Sequence, residues 1–69
     1  MSKLALAAFN NLTFKQQAVW LLKMQDNLTE IATARLLGIS RDAVHNRLWK
    51  AKIRYERYIR RMQRKQSYV

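Results

Sequence analysis

The 69-residue chain has no cysteine, no proline and a single glycine, Gly38. Without cysteine, neither a disulfide nor a thiolate zinc site can reinforce the fold. Without proline, nothing interrupts long stretches of alanine, leucine, lysine, arginine and glutamine, which favour helix. Apolar runs are short too: none approaches the roughly 20 residues that a membrane-spanning helix needs, so no membrane partner is expected. Residues Leu4 to Phe9 behind Lys3 resemble a truncated export signal, but no cleavage site follows. A first helix in a cytoplasmic, nucleoid-associated protein is the expectation.

Acidic residues are scarce as well. Asp26, Glu30, Asp42 and Glu56 are the four carboxylates, and His45 is the one histidine. No Ser-His-Asp set, carboxylate pair or phosphate-binding glycine loop is evident. One helical turn either side of His45 stand Arg41 and Trp49, neither of them a metal ligand. The expectation is therefore a protein without catalytic residues, metal or cofactor.

What the chain does have is positive charge. Fourteen lysines and arginines give a formal net charge of +10, which calls for a polyanionic partner. The charge is concentrated late: Arg41, Arg47, Lys50, Lys52, Arg54, Arg57, Arg60, Arg61, Arg64 and Lys65 are opposed there only by Asp42 and Glu56. RNA-binding proteins, cationic membrane helices and plain solvated helix faces share such compositions, so charge alone does not choose among them.

Local patterns divide the chain into four helical segments within one domain, residues 1–69. Lys3 to Asn10 reads as a short helix with Leu4, Leu6 and Phe9 available for packing. Thr13, followed three residues later by Gln16, predicts a capping box. Phe14, Ala18, Leu21 and Leu22, with Val19 and Trp20 alongside, then predict a broad buried face. This second helix should end near Asp26 and Asn27. Asn27, or alternatively Thr29, should cap a third helix reaching about Leu37.

The most informative stretch runs from Ala34 to Val44. Two helices that cross closely over a short turn need a small residue at the crossing, and Ala34 supplies it. Gly38 can take the positive φ at which the first of them ends. Ile39 then plugs the turn, Ser40 caps the next helix, and Val44 returns to the core with Leu48. This pattern predicts a helix-turn-helix motif over about residues 30–51, with a helical extension over about 52–65. The fold expected is all-α: a compact helix-turn-helix domain of three to four helices with a long basic C-terminal helix.

The series Leu12-Thr13, Gln16-Gln17, Val19, Leu21, then Leu36-Leu37-Gly38-Ile39-Ser40-Arg41, then Val44, Arg47-Leu48 and Ala51 resembles region 4 of bacterial sigma factors. More broadly it is similar to LuxR-type regulators. The resemblance covers about Leu12 to Tyr55. Two departures stand out. Thr33 occupies a position usually taken by a branched apolar residue, and the connection before the motif is two residues longer. The resemblance implies double-stranded DNA binding, with RNA polymerase as a further partner to consider. Small phage and mobile-element proteins of this type also act in regulation, excision or DNA packaging.

At about 100° per residue, Val44, Leu48, Ala51 and Tyr55 form one stripe of the last helix. Asp42 and Asn46 point away from it, with His45 toward the edge and Arg41 at the entry. These four are the candidates for reading base edges: Arg can pair with guanine, Asn with adenine, and Asp can accept from cytosine. The resemblance points to the same positions. Asp42 has a second reading as a first-turn acid favoured by the helix dipole. Arg35, Arg47, Lys50 and Lys52 are the phosphate candidates, which position without reading sequence.

Beyond the motif the stripe continues through Tyr58 and Met62 in alternating steps of four and three. That spacing suits a coiled-coil seam or packing against the first helix. Trp49 and Ile53 lie off the stripe, either covered by the first helix or forming a partner patch. A homodimer is expected, with Tyr55, Tyr58, Ile59 and Met62 at the interface and Trp49 and Ile53 as the alternative. In function, the expectation is a sequence-specific DNA-binding protein, a small transcriptional regulator or accessory factor. The alternatives are a protein docking on RNA polymerase through a region-4-like surface, or a recognition subunit for phage DNA packaging.

Overall fold

Each helix starts where a hydroxyl side chain can accept an unpaired backbone amide. In the computed structural model, which describes residues 2–66, the Ser2 hydroxyl accepts from the Ala5 amide at 3.1 Å and opens α1, Lys3–Asn10. Thr13 opens α2, Phe14–Trp20. Its hydroxyl accepts from the Gln16 amide at 3.2 Å, while the Gln16 side chain accepts from the Thr13 amide at 3.1 Å. This is the predicted capping box. Thr29 opens α3, Glu30–Leu37, accepting from the Ala32 amide at 3.1 Å. Ser40 opens α4, Arg41–Gln66, accepting from the Ala43 amide at 3.1 Å.

The third of these starts falls on Thr29, the alternative of the two expected caps, and not on Asn27. Asn27 caps nothing, because it sits at φ 59°, in the left-handed region, whereas a capping residue needs extended backbone. Asn27 instead helps to close the helix before it. After Trp20 that helix widens into a π turn, Leu21–Gln25, with the Asp26 amide donating to the Leu21 carbonyl at 3.0 Å. The Leu28 amide then reaches the Leu22 carbonyl at 3.0 Å, and Lys23 Nζ donates to the Leu28 carbonyl at 3.1 Å. Asn is among the residues that tolerate left-handed backbone best.

α3 ends on a tighter device. Gly38 takes φ 66°; its amide donates to the Arg35 carbonyl at 3.3 Å, and the Ile39 amide to the Ala34 carbonyl at 3.0 Å. These two bonds form a Schellman closure, which satisfies carbonyls that the helix end would otherwise leave unpaired. The three residues Gly38, Ile39 and Ser40 are then the whole connection to α4.

The core forms where α2, α3 and α4 meet. Val19, Ala34, Val44 and Leu48 are buried together, with Leu37 and Ile39 packed against them. Ile39 thus plugs the turn as its position implied. Thr33, where an apolar residue was more usual, is fully buried, and its hydroxyl donates to the Thr29 carbonyl at 2.9 Å. Bonded within its own helix, that hydroxyl costs little, and the β-branched shape fills the core. α1 packs along α4 and buries Ala8, while Leu12 is buried in the connection to α2. The aromatic ring of Trp20 stacks on Tyr55, with centroids 4.5 Å apart, joining α2 to the middle of α4.

The predicted buried face of α2 is partly wrong. Phe14 is 86% exposed and Leu21 is also exposed, whereas Val19 is fully buried. Phe14 and Leu21 are seven residues apart and share one face, and α4 covers the neighbouring face through Val19. Leu6 of α1 is exposed as well. α4, at about 1.5 Å per residue, gives the molecule its long axis of 46 Å against 20 and 16 Å across. No helix among the described residues is long and apolar enough to cross a membrane.

Candidate nucleic-acid interface

The Schellman closure and the Ser40 cap determine where α4 begins, and the buried stripe determines which way it faces. Val44 and Ala51 are fully buried and Leu48 nearly so, and Val44 and Leu48 anchor the start of the helix against Val19 of α2 and Ala34 of α3. With that side turned inward, Arg41, Asp42, His45 and Asn46 are all exposed at the start of the helix. The four candidates for base contact therefore lie together, on the solvent side of a rigidly held helix end. Asp42 is in the first turn, so the favourable dipole and an outward-facing side chain apply to the same carboxylate.

Two of the four share a neighbour that sequence reasoning missed. Glu30, the first residue of α3, lies 3.9 Å from the Arg41 guanidinium and 3.6 Å from Nδ1 of His45. The arginine and histidine side chains are each about two-thirds exposed, and the carboxylate about one-third. Pairs this long and this exposed contribute at most about 1 kcal/mol to stability. Their effect is on position: Glu30 draws the Arg41 guanidinium toward α3 and stands beside the His45 imidazole. The signal was present in the sequence only as an acid in the first turn of a helix, which normally needs no partner.

The phosphate candidates are distributed around this centre. Arg35 is exposed in the last turn of α3, and Lys50 and Lys52 are exposed on α4, while Arg47 is half-buried. Lys52 and His45 line a shallow recess with Lys23, Glu30, Leu48 and Trp49. Trp49 itself is 60% exposed, so the first helix does not cover it, and Ile53 is half-buried. Tyr55, Tyr58, Ile59 and Met62 are half-buried, with α1 lying along the same helix.

Arg54 has a structural bond that its sequence context did not reveal. Its Nε donates to the Asn11 carbonyl at 2.7 Å, tying α4 to the end of α1. Among the described residues, no buried side-chain nitrogen or oxygen lacks a hydrogen-bond partner. No group of three or more His, Cys, Asp and Glu among them is placed to hold a metal ion. Comparison with protein-family models, curated proteins and solved structures finds no match to this chain.

Proposed function

We propose that the chain binds double-stranded DNA in a sequence-specific manner, as a small transcriptional regulator or accessory factor. The observation that carries this reading is the start of α4. A Gly38 closure, a Ser40 cap and a buried Val44, Leu48 and Ala51 stripe support a helix end that exposes Arg41, Asp42, His45 and Asn46. An α-helix fits the major groove, where every base pair presents a distinct set of donors and acceptors. In this reading Asn46 and Arg41 pair with base edges, and His45 and Asp42 discriminate beside them. Lys50, Lys52, Arg35 and Arg47 hold the flanking phosphates. The net charge of +10 supplies the long-range attraction.

Pairing of two copies belongs to the same reading. Tyr58, Ile59 and Met62 remain half-exposed on the later turns of α4, and paired domains of this kind engage half-sites about one helical turn of DNA apart. Selection of preferred sites from a pool of random duplexes, followed by binding assays of variants, tests the proposal. Asn46→Ala is expected to lose about 1–3 kcal/mol of discrimination at particular base pairs. Lys50→Ala is expected to weaken all duplexes alike. Recovery of no preferred site, or an Asn46→Ala variant that weakens selected and random duplexes equally, contradicts sequence-specific reading.

A further inference from the structure

A groove of about 570 Å³ runs beside α4, and its walls include Asn11, Trp49, Ile53 and four cations: Lys50, Arg54, Arg57 and Arg61. Among the described residues, none that lines it is acidic. The four cations succeed one another at steps of four, three and four residues, so they form a single row along the helix. At 1.5 Å per residue the row is about 16 Å long. It begins at Lys50, one turn after Asn46, and so continues the base-contact face without a break.

We infer that this groove is a track for the phosphate backbone of one DNA strand, extending the footprint past the bases contacted by the start of α4. The inference rests on the DNA-binding reading and adds a second, sequence-independent contact region to it. A straight helix can follow the major groove for only a few turns before its remainder passes the bordering backbone. The part of α4 that passes it is the part carrying the row. Neighbouring phosphates of one strand are farther apart along its backbone than their rise of about 3.4 Å on the duplex axis, and a row of this length still reaches at least two of them. Arg54 is already held by the Asn11 carbonyl, which fixes one cation of the row in place. Lys50, Arg57 and Arg61 are exposed. The indole of Trp49, 60% exposed, lines the same groove and can report on its occupancy. An acidic peptide would satisfy the same charges. The continuity of the row with Asn46 favours the duplex.

The double variant Arg57→Gln, Arg61→Gln tests the inference with the full chain, measured against duplex DNA over a range of salt concentrations. Each lost phosphate contact reduces the slope of log affinity against log salt by about 0.9, so a decrease of about 1.8 is expected. The preference for selected over random duplexes should be unchanged. Lys3→Gln, a charge removed outside the groove, should leave the slope as it is. Duplex should also change the tryptophan emission of the wild type much more than that of Trp49→Phe, which retains Trp20. A double variant with the wild-type slope overturns the track while leaving DNA binding intact. So does a double variant that keeps that slope but loses affinity for a leucine-containing polyglutamate peptide. A wild-type protein that binds no duplex removes the underlying reading, a result distinguishable from either.

Discussion

The two halves of α4 share one apolar spacing but are held very differently. In the first half, Val44 and Leu48 are buried in one cluster with Val19 of α2 and Ala34 of α3, and Val44 and Ala51 have no exposed surface. From Lys52 onward, Tyr55, Tyr58 and Met62 continue the stripe but are only partly buried, with α1 alongside, Trp20 of α2 stacked on Tyr55, and arginines on the other faces. Periodicity alone therefore does not measure anchorage; the number of elements that converge on a stripe does. Under the proposed DNA-binding function the contrast also divides the work. A firmly held first half can keep short polar side chains in fixed positions, which base readout requires. A loosely covered, strongly basic second half suits contacts that need charge more than geometry.

Substituting one residue from each half breaks or sharpens that contrast. Val44→Asp places an unpaired carboxylate in the fully buried cluster and should cost at least about 3 kcal/mol, enough to unfold most of a domain this small. Met62→Asp, at the equivalent stripe position of the second half, should cost about 1 kcal/mol or less. Thermal unfolding followed by circular dichroism compares them directly, and equal losses would mean that both halves are anchored alike.

The junction that starts the first half should show an intermediate effect. Gly38→Val forces a β-branched residue into positive φ, at a cost of about 2 kcal/mol. Nothing lies within 4 Å of a Cβ placed there, so the penalty is one of backbone rather than space. Gly38→Asn should therefore recover most of the stability. If Asn proves as damaging as Val in the same melts, crowding rather than φ governs the turn.

The smallest effect concerns Glu30. Glu30→Gln removes the carboxylate beside Arg41 and His45 and should change stability by less than about 1 kcal/mol. Duplex affinity at low salt should rise a few-fold, because a negative charge near the contact face is lost. That gain should shrink at high salt, where exposed charges are screened; a gain independent of salt would point to a conformational effect instead.

How legible these features were in the sequence depended on the range of the interaction involved. The Thr13 and Gln16 capping box, the Gly38 closure and the Ser40 cap each join residues three to five positions apart, so residue type and spacing suffice to predict them. The stripe of Val44, Leu48 and Ala51 was legible for a similar reason, since steps of four and three residues place these apolar side chains on one face, with Trp49 the large apolar exception. α2 offered no such clarity. Phe14 and Leu21 form one apolar face and Val19 lies on another, and which is buried depends on where α4 docks. The π turn at Leu21–Gln25 adds a residue to one turn, which a fixed helical period does not anticipate, and the left-handed backbone of Asn27 leaves Thr29 as the next helix cap. Glu30 was silent because its partners lie 11 and 15 residues ahead, across a turn whose geometry brings them back. The groove was hidden within a run of charge, where cations in a row along one face look the same as cations spread over a solvated surface.

Mapping amide chemical shifts during titration with a selected duplex tests the central claim most directly. The account predicts that the largest changes fall on Ser40 to Asn46, with a second set from Lys50 to Arg61, while α1 and the Phe14 and Leu21 face of α2 stay nearly unchanged. Largest changes on that α2 face, with Ser40 to Asn46 unmoved, would contradict it.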